Sequence, residues 1–330
     1  MEKRTYRIAK EDDGARFDRW CQRILGKAPN SVYLKAMRKG LLRIDGKKAE
    51  GNTRVSAGQT IEVRGSITDP GKAQAPREKH VVPITLELAR EVQSWVIYKD
   101  KDILVINKPA GLAVQGGSGI SKHLDGLLSC LQFDAKDVPR LVHRLDKDTS
   151  GIMLLARHVQ AASTLQKAFL RKEIQKTYLA LVVGVPSPRS GEIESNLDKL
   201  AMGELSREMV RSVEEGEGKR AITRYRTIEH LAKKIALVEL EPITGRTHQL
   251  RVHMAEMECP ILGDGKYGGK AAHISGGVSL AGKLHLQAWR IHLPELFGKP
   301  ERMYEAPMAP HIQKSLDALG LQVHGYGKDA

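Results

Sequence analysis

From about residue 91 the chain is punctuated by short apolar runs rich in branched residues, among them WVIYK, DILVIN, KTYLALVVG and KKIALVELEP. Runs of this length, bounded by Gly, Pro or charged residues, read as β-strands. WVIYKDKDILVINKPAGL divides into two strands, joined at Lys99–Lys101 and ended by Pro109 and Gly111. Helical spacing is carried by HVQAASTLQKAFLR and THQLRVHMAEME. Strands and helices thus mix without a regular βαβ repeat. That pattern predicts an α+β fold, a mixed, largely antiparallel central sheet with flanking helices. Two stretches poor in apolar residues, Ala201–Lys219 and Gly263–Gly282, read as loops.

The first 66 residues are a different kind of sequence. GARFDRWCQRIL places Phe17, Trp20, Ile24 and Leu25 on one helical side. SVYLKAMRKG predicts a second helix, with Ser31 as its N-cap and Gly40 as its stop. LLRIDGKK and TIEVRG then read as short strands, with Asp45-Gly46 supplying a hairpin turn. Residues 1–65 hold sixteen Lys/Arg against eight Asp/Glu. Arg16, Arg19, Lys35, Arg38 and Lys39 on the helices and Arg43, Lys47 and Lys48 on the hairpin therefore predict a cationic surface. A merely solvated face mixes both signs, so this imbalance points to a polyanion. Residues 67–90, which include TDPGKAQAPREKH, lack apolar periodicity and read as a linker; residues 91–330 form the larger domain.

The whole chain carries a net charge of +14 over 330 residues, which favours RNA, DNA or an anionic membrane as partner. No apolar stretch is long enough to span a bilayer, and MEKRTYRIAK lacks a signal-peptide core. Cys21, Cys130 and Cys259 are odd in number and widely spaced. They fit neither a disulfide framework nor a zinc ribbon, and a reducing cytoplasm is expected. GGSGISK lacks the P-loop spacing, no G-x-G-x-x-G opens a helix, and no H-E-x-x-H or G-x-S-x-G occurs. The reactive candidates that remain are a carboxylate, a tyrosine and several arginines.

The carboxylate stands in HRLDKDTSGIMLLA, residues 143–156, where Asp146 lies between Arg144 and Lys147 just before an apolar run. Rigid backbone beside several cations suits either a structural ion pair or a reactive group kept ionised. ITGRTHQLRVH, residues 243–253, is the second dense patch: Gly245 breaks a strand and Thr247 can cap a helix with Arg246 at its mouth. A guanidinium such as Arg251, aimed into a cleft, can hold a carboxylate ionised through a bidentate pair. From spacing alone Arg251 is equally an exposed helix charge, and Tyr178 of KTYLA reads as a core tyrosine in an apolar strand.

H-R-L-D-x-x-T-S-G followed by apolar residues resembles the signature of the RluA-type pseudouridine synthases. The resemblance extends to NKPAGL, GGSG, KTYLALV, GRTHQLRVH and PILGDGKYG, and so covers roughly residues 95–310. Within the family the chain is similar to the RluC/RluD-like branch, which modifies large-subunit ribosomal RNA. The first 66 residues resemble an S4 RNA-binding domain, through K-G-x-x-x-x-D-G-K at Lys39–Lys47 and V-x-x-G-Q-x-I-x-V at Val55–Val63. The resemblance implies the pseudouridine synthase fold plus a small α/β S4 domain.

By motif, it implies that Asp146 is the catalytic aspartate, that Tyr178 stacks on the target base and that Arg251 pairs with Asp146. It also implies that Arg246 and His248 lie near the RNA backbone, and that Arg144 holds either the Asp loop or the RNA. The implied reaction breaks the N1–C1′ bond of uridine, turns the base and rejoins it through C5, with no cofactor and no metal. The implied partner is 23S ribosomal RNA before the subunit is fully assembled, met by a cytoplasmic monomer with no membrane attachment. Two residues depart from the pattern: Gln115 before GGSG and Gln287 in HLQAW, where relatives carry His. The competing expectations are a noncatalytic ribosome-assembly protein built on the S4 module and, more remotely, a hydrolase using His143, His248 and Asp146.

Overall fold

The computed structural model describes residues 3–26, 28, 30–65, 83–116, 120–199, 209–214, 217–274, 280 and 282–323. The chain divides into two compact units, Met1–Lys79 and His80–Ala330.

In the first unit β1 (Lys3–Arg7), α1 (Phe17–Ile24), α2 (Asn30–Arg38), β2 (Leu42–Ile44), β3 (Lys47–Lys48) and β4 (Thr60–Arg64) build an antiparallel sheet of order β1-β4-β2-β3 beside two helices. Asp45 and Gly46 both have positive φ, 46° and 75°, the geometry of a two-residue hairpin turn that suits the twist of its strands. The core contains Phe17, Trp20, Cys21, Tyr33, Met37, Leu42, Ile61 and Val63. The inner stripe of α1 is therefore 17, 20 and 21. Ile24, expected on that side, is 43% exposed because it lies in the last turn, beyond the end of the core.

In the second unit α3 (Leu86–Ser94) precedes β5 (Val96–Lys99) and β6 (Ile103–Lys108). The segment expected to be a linker thus already contains helix from Leu86, capped by Thr85, whose hydroxyl accepts from Leu88 N. A short α4 (Leu124–Leu127) leads to β7 (Arg140–Leu141), β8 (Ser150–Ala156), α5 (Val159–Leu170) and β9 (Gln175–Val183). Then come β10 (Ser190–Lys199), β11 (Val210–Val213), β12 (Lys219–Leu231), β13 (Ile235–Pro242), α6 (Gln249–Glu256), β14 (Leu286–Leu293), β15 (Arg302–Glu305) and α7 (Pro310–Leu319).

The sheet runs β11-β10-β12-β13-β9-β14-β8-β6-β5, with β15 on β14 and β7 on β8. Every pairing is antiparallel except β14 with β8. All seven residues of β8 are buried, which explains its unbroken apolar run. The stretch 201–219, expected to be a loop, contains β11, whose Val210 packs with Leu197, Ala221 and Val252. Its residues 201–208 and 215–216 lie outside the described residues, as do residue 66, 67–82 of the linker and 117–119 of GGSG. Cys21, Cys130 and Cys259 are free and buried. Among the described residues no helix is long and apolar enough to cross a membrane.

Candidate active site

Asp146 lies in the loop between β7 and β8, and three contacts fix that loop to the sheet. The His143 Nε2 accepts a hydrogen bond from Leu154 N at 2.9 Å, which pins the loop's start to β8. The Lys108 ammonium, fully buried at the end of β6, donates to the carbonyls of Pro109 (2.9 Å), Leu112 (2.8 Å) and Lys147 (3.2 Å). Gly111 N also donates to Lys147 O at 2.9 Å. NKPAGL is thus a clamp on the residue after Asp146. Burial pulls the Lys108 pKa down to about 7, against the charges of Asp148 and Asp146. Gly151 closes the loop at φ 109°; a Cβ there would meet Ala288 O at 2.1 Å, so only glycine lets β14 run alongside β8 at this point.

Tyr178 is carried by β9, between Leu240 of β13 and Ala288 of β14. It is buried, and burial together with the charge of Asp146 pushes its phenol pKa up. His143 is likewise held neutral: burial, then the charge of Lys176, lower its pKa to about 3.

The third element is α6, which GRTHQLRVH opens. Its N-cap is His248, not Thr247 as the sequence predicts, and His248 sits in the left-handed region at φ 53°. Gln249 instead ties the turn before the helix: its Oε1 accepts from Arg246 N (3.0 Å) and from Thr244 Oγ1 (2.7 Å). Gln249 to Met254 are all buried, so the reading of Arg251 as an exposed helix charge is wrong.

The bidentate partner of Arg251 is Asp264, not Asp146 as the motif implies. Its Nε and Nη2 donate to the two Asp264 oxygens at 2.8 and 2.6 Å. Asp264 comes from GDGKYG, inside the stretch expected to be a loop, and is 1% exposed. Burial works against the Arg251 charge, but the hydrogen bond and charge of Asp264, and then the charge of Asp146, raise its pKa on balance. The guanidinium therefore stands between two carboxylates, a fork on one and an electrostatic neighbour of the other. Tyr267 of the same segment lies 5.0 Å from the guanidinium, ring to cation. Its hydroxyl is 2.6 Å from His248 Nδ1, while His248 Nε2 is 3.9 Å from Asp146 Oδ2. Neither Asp264 nor Tyr267 was singled out in the sequence, although PILGDGKYG itself was.

Asp146, Tyr178, Arg251 and His248 line one cleft of about 260 Å³. A larger depression of about 1260 Å³ adjoins it and shares Arg144, Asp146, His248 and Arg251. Arg144 and Arg246 are exposed at the cleft, and Arg246 Nε donates to Arg220 O at 3.0 Å. Gln115 is exposed and lines the larger depression. Gln287 is buried elsewhere and structural: its amide donates to Pro307 O (2.9 Å) and accepts from Ala309 N (2.7 Å), fixing the approach to α7.

In the first unit Arg16 forks onto Asp18 and Arg43 donates to the carbonyls of Gly40 and Gly46, so both heads are engaged internally. Arg19, Lys35, Arg38, Lys39, Lys47 and Lys48 are exposed.

Residues 102–256 match the family described as RNA pseudouridylate synthase. Ribosomal large subunit pseudouridine synthase C of Rickettsia conorii is 37% identical over 257 residues, covering 78% of this chain and 83% of that one. The protein of the same name from Vibrio cholerae is 32% identical over 94% of this chain and 95% of its own. Among solved structures, human RNA pseudouridylate synthase domain containing 4 superposes with a TM-score of 0.59 at 29% identity, over 72% of this chain and 98% of that chain.

Proposed function

This chain belongs to the RluA family of RNA pseudouridine synthases, which isomerise uridine to pseudouridine, and from that premise we propose that it modifies 23S large-subunit ribosomal RNA with Asp146 as catalytic carboxylate. The support for the residue assignment is convergence. Asp146, Tyr178 and Arg251 come from a loop, a strand and a helix far apart in the chain, yet line one cleft.

The target uridine leaves its stack, at a cost of a few kcal/mol. Stacking on Tyr178 returns about 1–3 kcal/mol. The Asp146 oxygen then meets C1′ or takes the C2′ proton as the N1–C1′ bond breaks, in the manner of a carboxylate at an anomeric carbon. The uracil turns, C5 bonds to C1′, and the C5 proton is released. Arg251, anchored by Asp264, holds a fixed positive charge near Asp146, while Arg144, Arg246 and His248 receive the RNA backbone. The fixed backbone around Asp146 serves the same end, since a carboxylate must be prepositioned to act on one face of a ribose.

The first unit supplies RNA affinity as an S4-type domain, through the exposed cations Arg19, Lys35, Arg38, Lys39, Lys47 and Lys48. In this reading the protein acts as a cytoplasmic monomer on 23S RNA that is not yet fully assembled into the subunit.

The test is tritium release from C5-labelled large-subunit RNA without added metal. Asp146→Asn is expected to abolish release while leaving RNA affinity within about threefold (roughly 0.6 kcal/mol). Turnover by that variant would refute the role given to Asp146.

A further inference from the structure

The mechanism above leaves one ionisable group of the cleft without a task. Lys176 stands two residues before Tyr178 on β9. Side chains alternate along a strand, so the two point to the same face about 6.6 Å apart. Both line the cleft that holds Asp146.

Lys176 is also unusual in what it lacks. Among the described residues it has no hydrogen-bond acceptor and no carboxylate partner, and its ammonium lies 5.9 Å from the Phe169 ring centroid, at the edge of a cation–π contact. The other cations of the site are provided for: Lys108 by three carbonyls, Arg251 by Asp264. The His143 ring, also packed on Phe169, cannot accept from Lys176 through Nε2, because that lone pair holds Leu154 N–H. Burial lowers the Lys176 pKa with no opposing carboxylate. A half-buried cation without a counter-charge carries a desolvation cost, and an arriving anion relieves it.

Two anions are available, an RNA phosphate and the departing base. The exposed guanidiniums Arg144 and Arg246 border the same cleft and are the groups placed for phosphates. Lys176 is half-buried, on the face of the strand that carries Tyr178.

We propose that Lys176 donates a hydrogen bond to a uracil carbonyl oxygen and stabilises the anion formed when the glycosidic bond breaks. This rests on the isomerase reading and deepens it. The C1′–N1 electron pair goes to N1 and spreads onto O2 and O4, where the ammonium meets it. C1′ meanwhile bonds an Asp146 oxygen or, on the elimination route, the C2′ proton passes to Asp146. On rejoining, C5 supplies the pair for the new bond to C1′. The Asp146 oxygen leaves with its own pair, or returns the proton to C2′; C5 then loses its proton to solvent and N1 takes one up. Lys176 keeps its proton throughout and needs no oxidant or co-reactant.

The experiment compares uridine and 5-fluorouridine in the same large-subunit RNA fragment, in single turnover, with wild type, Lys176→Met and Lys176→Arg. Fluorine makes uracil a better leaving group, so a residue that stabilises the leaving group matters less for the fluorinated base. Lys176→Met is expected to slow uridine conversion about 100- to 1000-fold, the range for a lost preorganised donor. Consumption of 5-fluorouridine should slow at least about tenfold less than that, with RNA Kd within about threefold of wild type and an undiminished melting temperature. Lys176→Arg should fall between, and Lys176→Gln serves in place of Met if Met impairs folding. A uridine rate within threefold of wild type, equal losses on both substrates, or a loss explained by weaker RNA binding would overturn the proposal. Wild type that converted no uridine would bring down the isomerase reading with it.

Discussion

The pair Arg251–Asp264 allows stability and catalysis to be separated in one set of variants. Its side chains are 7% and 1% exposed and joined by two short hydrogen bonds. Asp264→Asn leaves the guanidinium buried without its fork, and breaking a buried pair from one side costs about 3–5 kcal/mol. For a unit of this size each kcal/mol moves the melting temperature by about 2–4 °C, so the midpoint should fall by roughly 6–20 °C. Replacing both partners with apolar residues, Arg251→Met with Asp264→Leu, removes the orphaned charge and should recover most of that loss, because apolar replacements of buried pairs are often neutral or better. Activity should not follow stability. The double variant lacks the Arg251 guanidinium beside Asp146 and should remain inactive in tritium release, whereas Asp264→Asn retains it and should keep measurable turnover below its melting point. Calorimetry and the release assay on the same preparations decide the matter. A double variant turning over at the wild-type rate would refute any need for Arg251 beside Asp146, and an Asp264→Asn midpoint within about 2 °C of wild type would refute the energetic reading of the pair.

Acid should destabilise the fold in a defined window. Burial holds His285 and His253 at about 4 and His143 at about 3 in the folded protein, against an ordinary 6.5. The unfolded chain binds protons first, so this stability is complete above pH 6.5 and is lost as pH falls towards 4. For fully buried His285 the gap is worth roughly 3 kcal/mol. Urea denaturation between pH 7.5 and 4.5 should show the decline, and His285→Gln should make it shallower; a flat profile would contradict it. Removing residues 1–66 should weaken RNA binding and reduce the slope of log affinity against log salt, since each lost phosphate contact takes about 0.7–0.9 from the slope. An unchanged slope would mean that the exposed cations of the first unit meet no phosphate.

The strands were legible where one face or both are apolar: WVIYK, DILVINK, KTYLALVV and KIALVELEP all form strands close to their expected bounds. β10, β11 and β12 were not. SGEIESNLDK and KRAITRYRTIEHL set charged residues outward on paired strands, where Glu194 meets Arg220 and Glu192 meets Arg224, and such sequences look like loops to a reading built on hydrophobic runs. At the site, the resemblance carried by the motifs pointed to Asp146, Tyr178 and Arg251, but not to who holds whom. A bidentate fork has no sequence spacing. Arg251 and Asp264 are thirteen residues apart, and nothing in GDGKYG distinguishes a buried counter-ion from a turn aspartate. The His248 cap was missed for a related reason, since a non-glycine residue in the left-handed region is set by the packing on both sides of it.

The arrangement of charge also bears on the proposed reaction, in which one acidic residue acts at the reacting carbon. Two cations near Asp146 are restrained by other groups: Lys108 by carbonyls and Arg251 by Asp264. A cation free to collapse onto Asp146 would occupy the position that C1′ must take and would have to be displaced by every substrate. Cations tied elsewhere act on the carboxylate through space, which is preorganisation in the electrostatic sense. It follows that freeing the Arg251 fork should impair catalysis through lost positioning rather than lost charge. In Asp264→Asn the guanidinium loses the fork that fixes its direction, so this variant should show a lower kcat with little change in RNA affinity, and added salt should not restore it because Arg251 is buried. Recovery of kcat at high salt would show instead that the loss arose from screened, solvent-exposed charge.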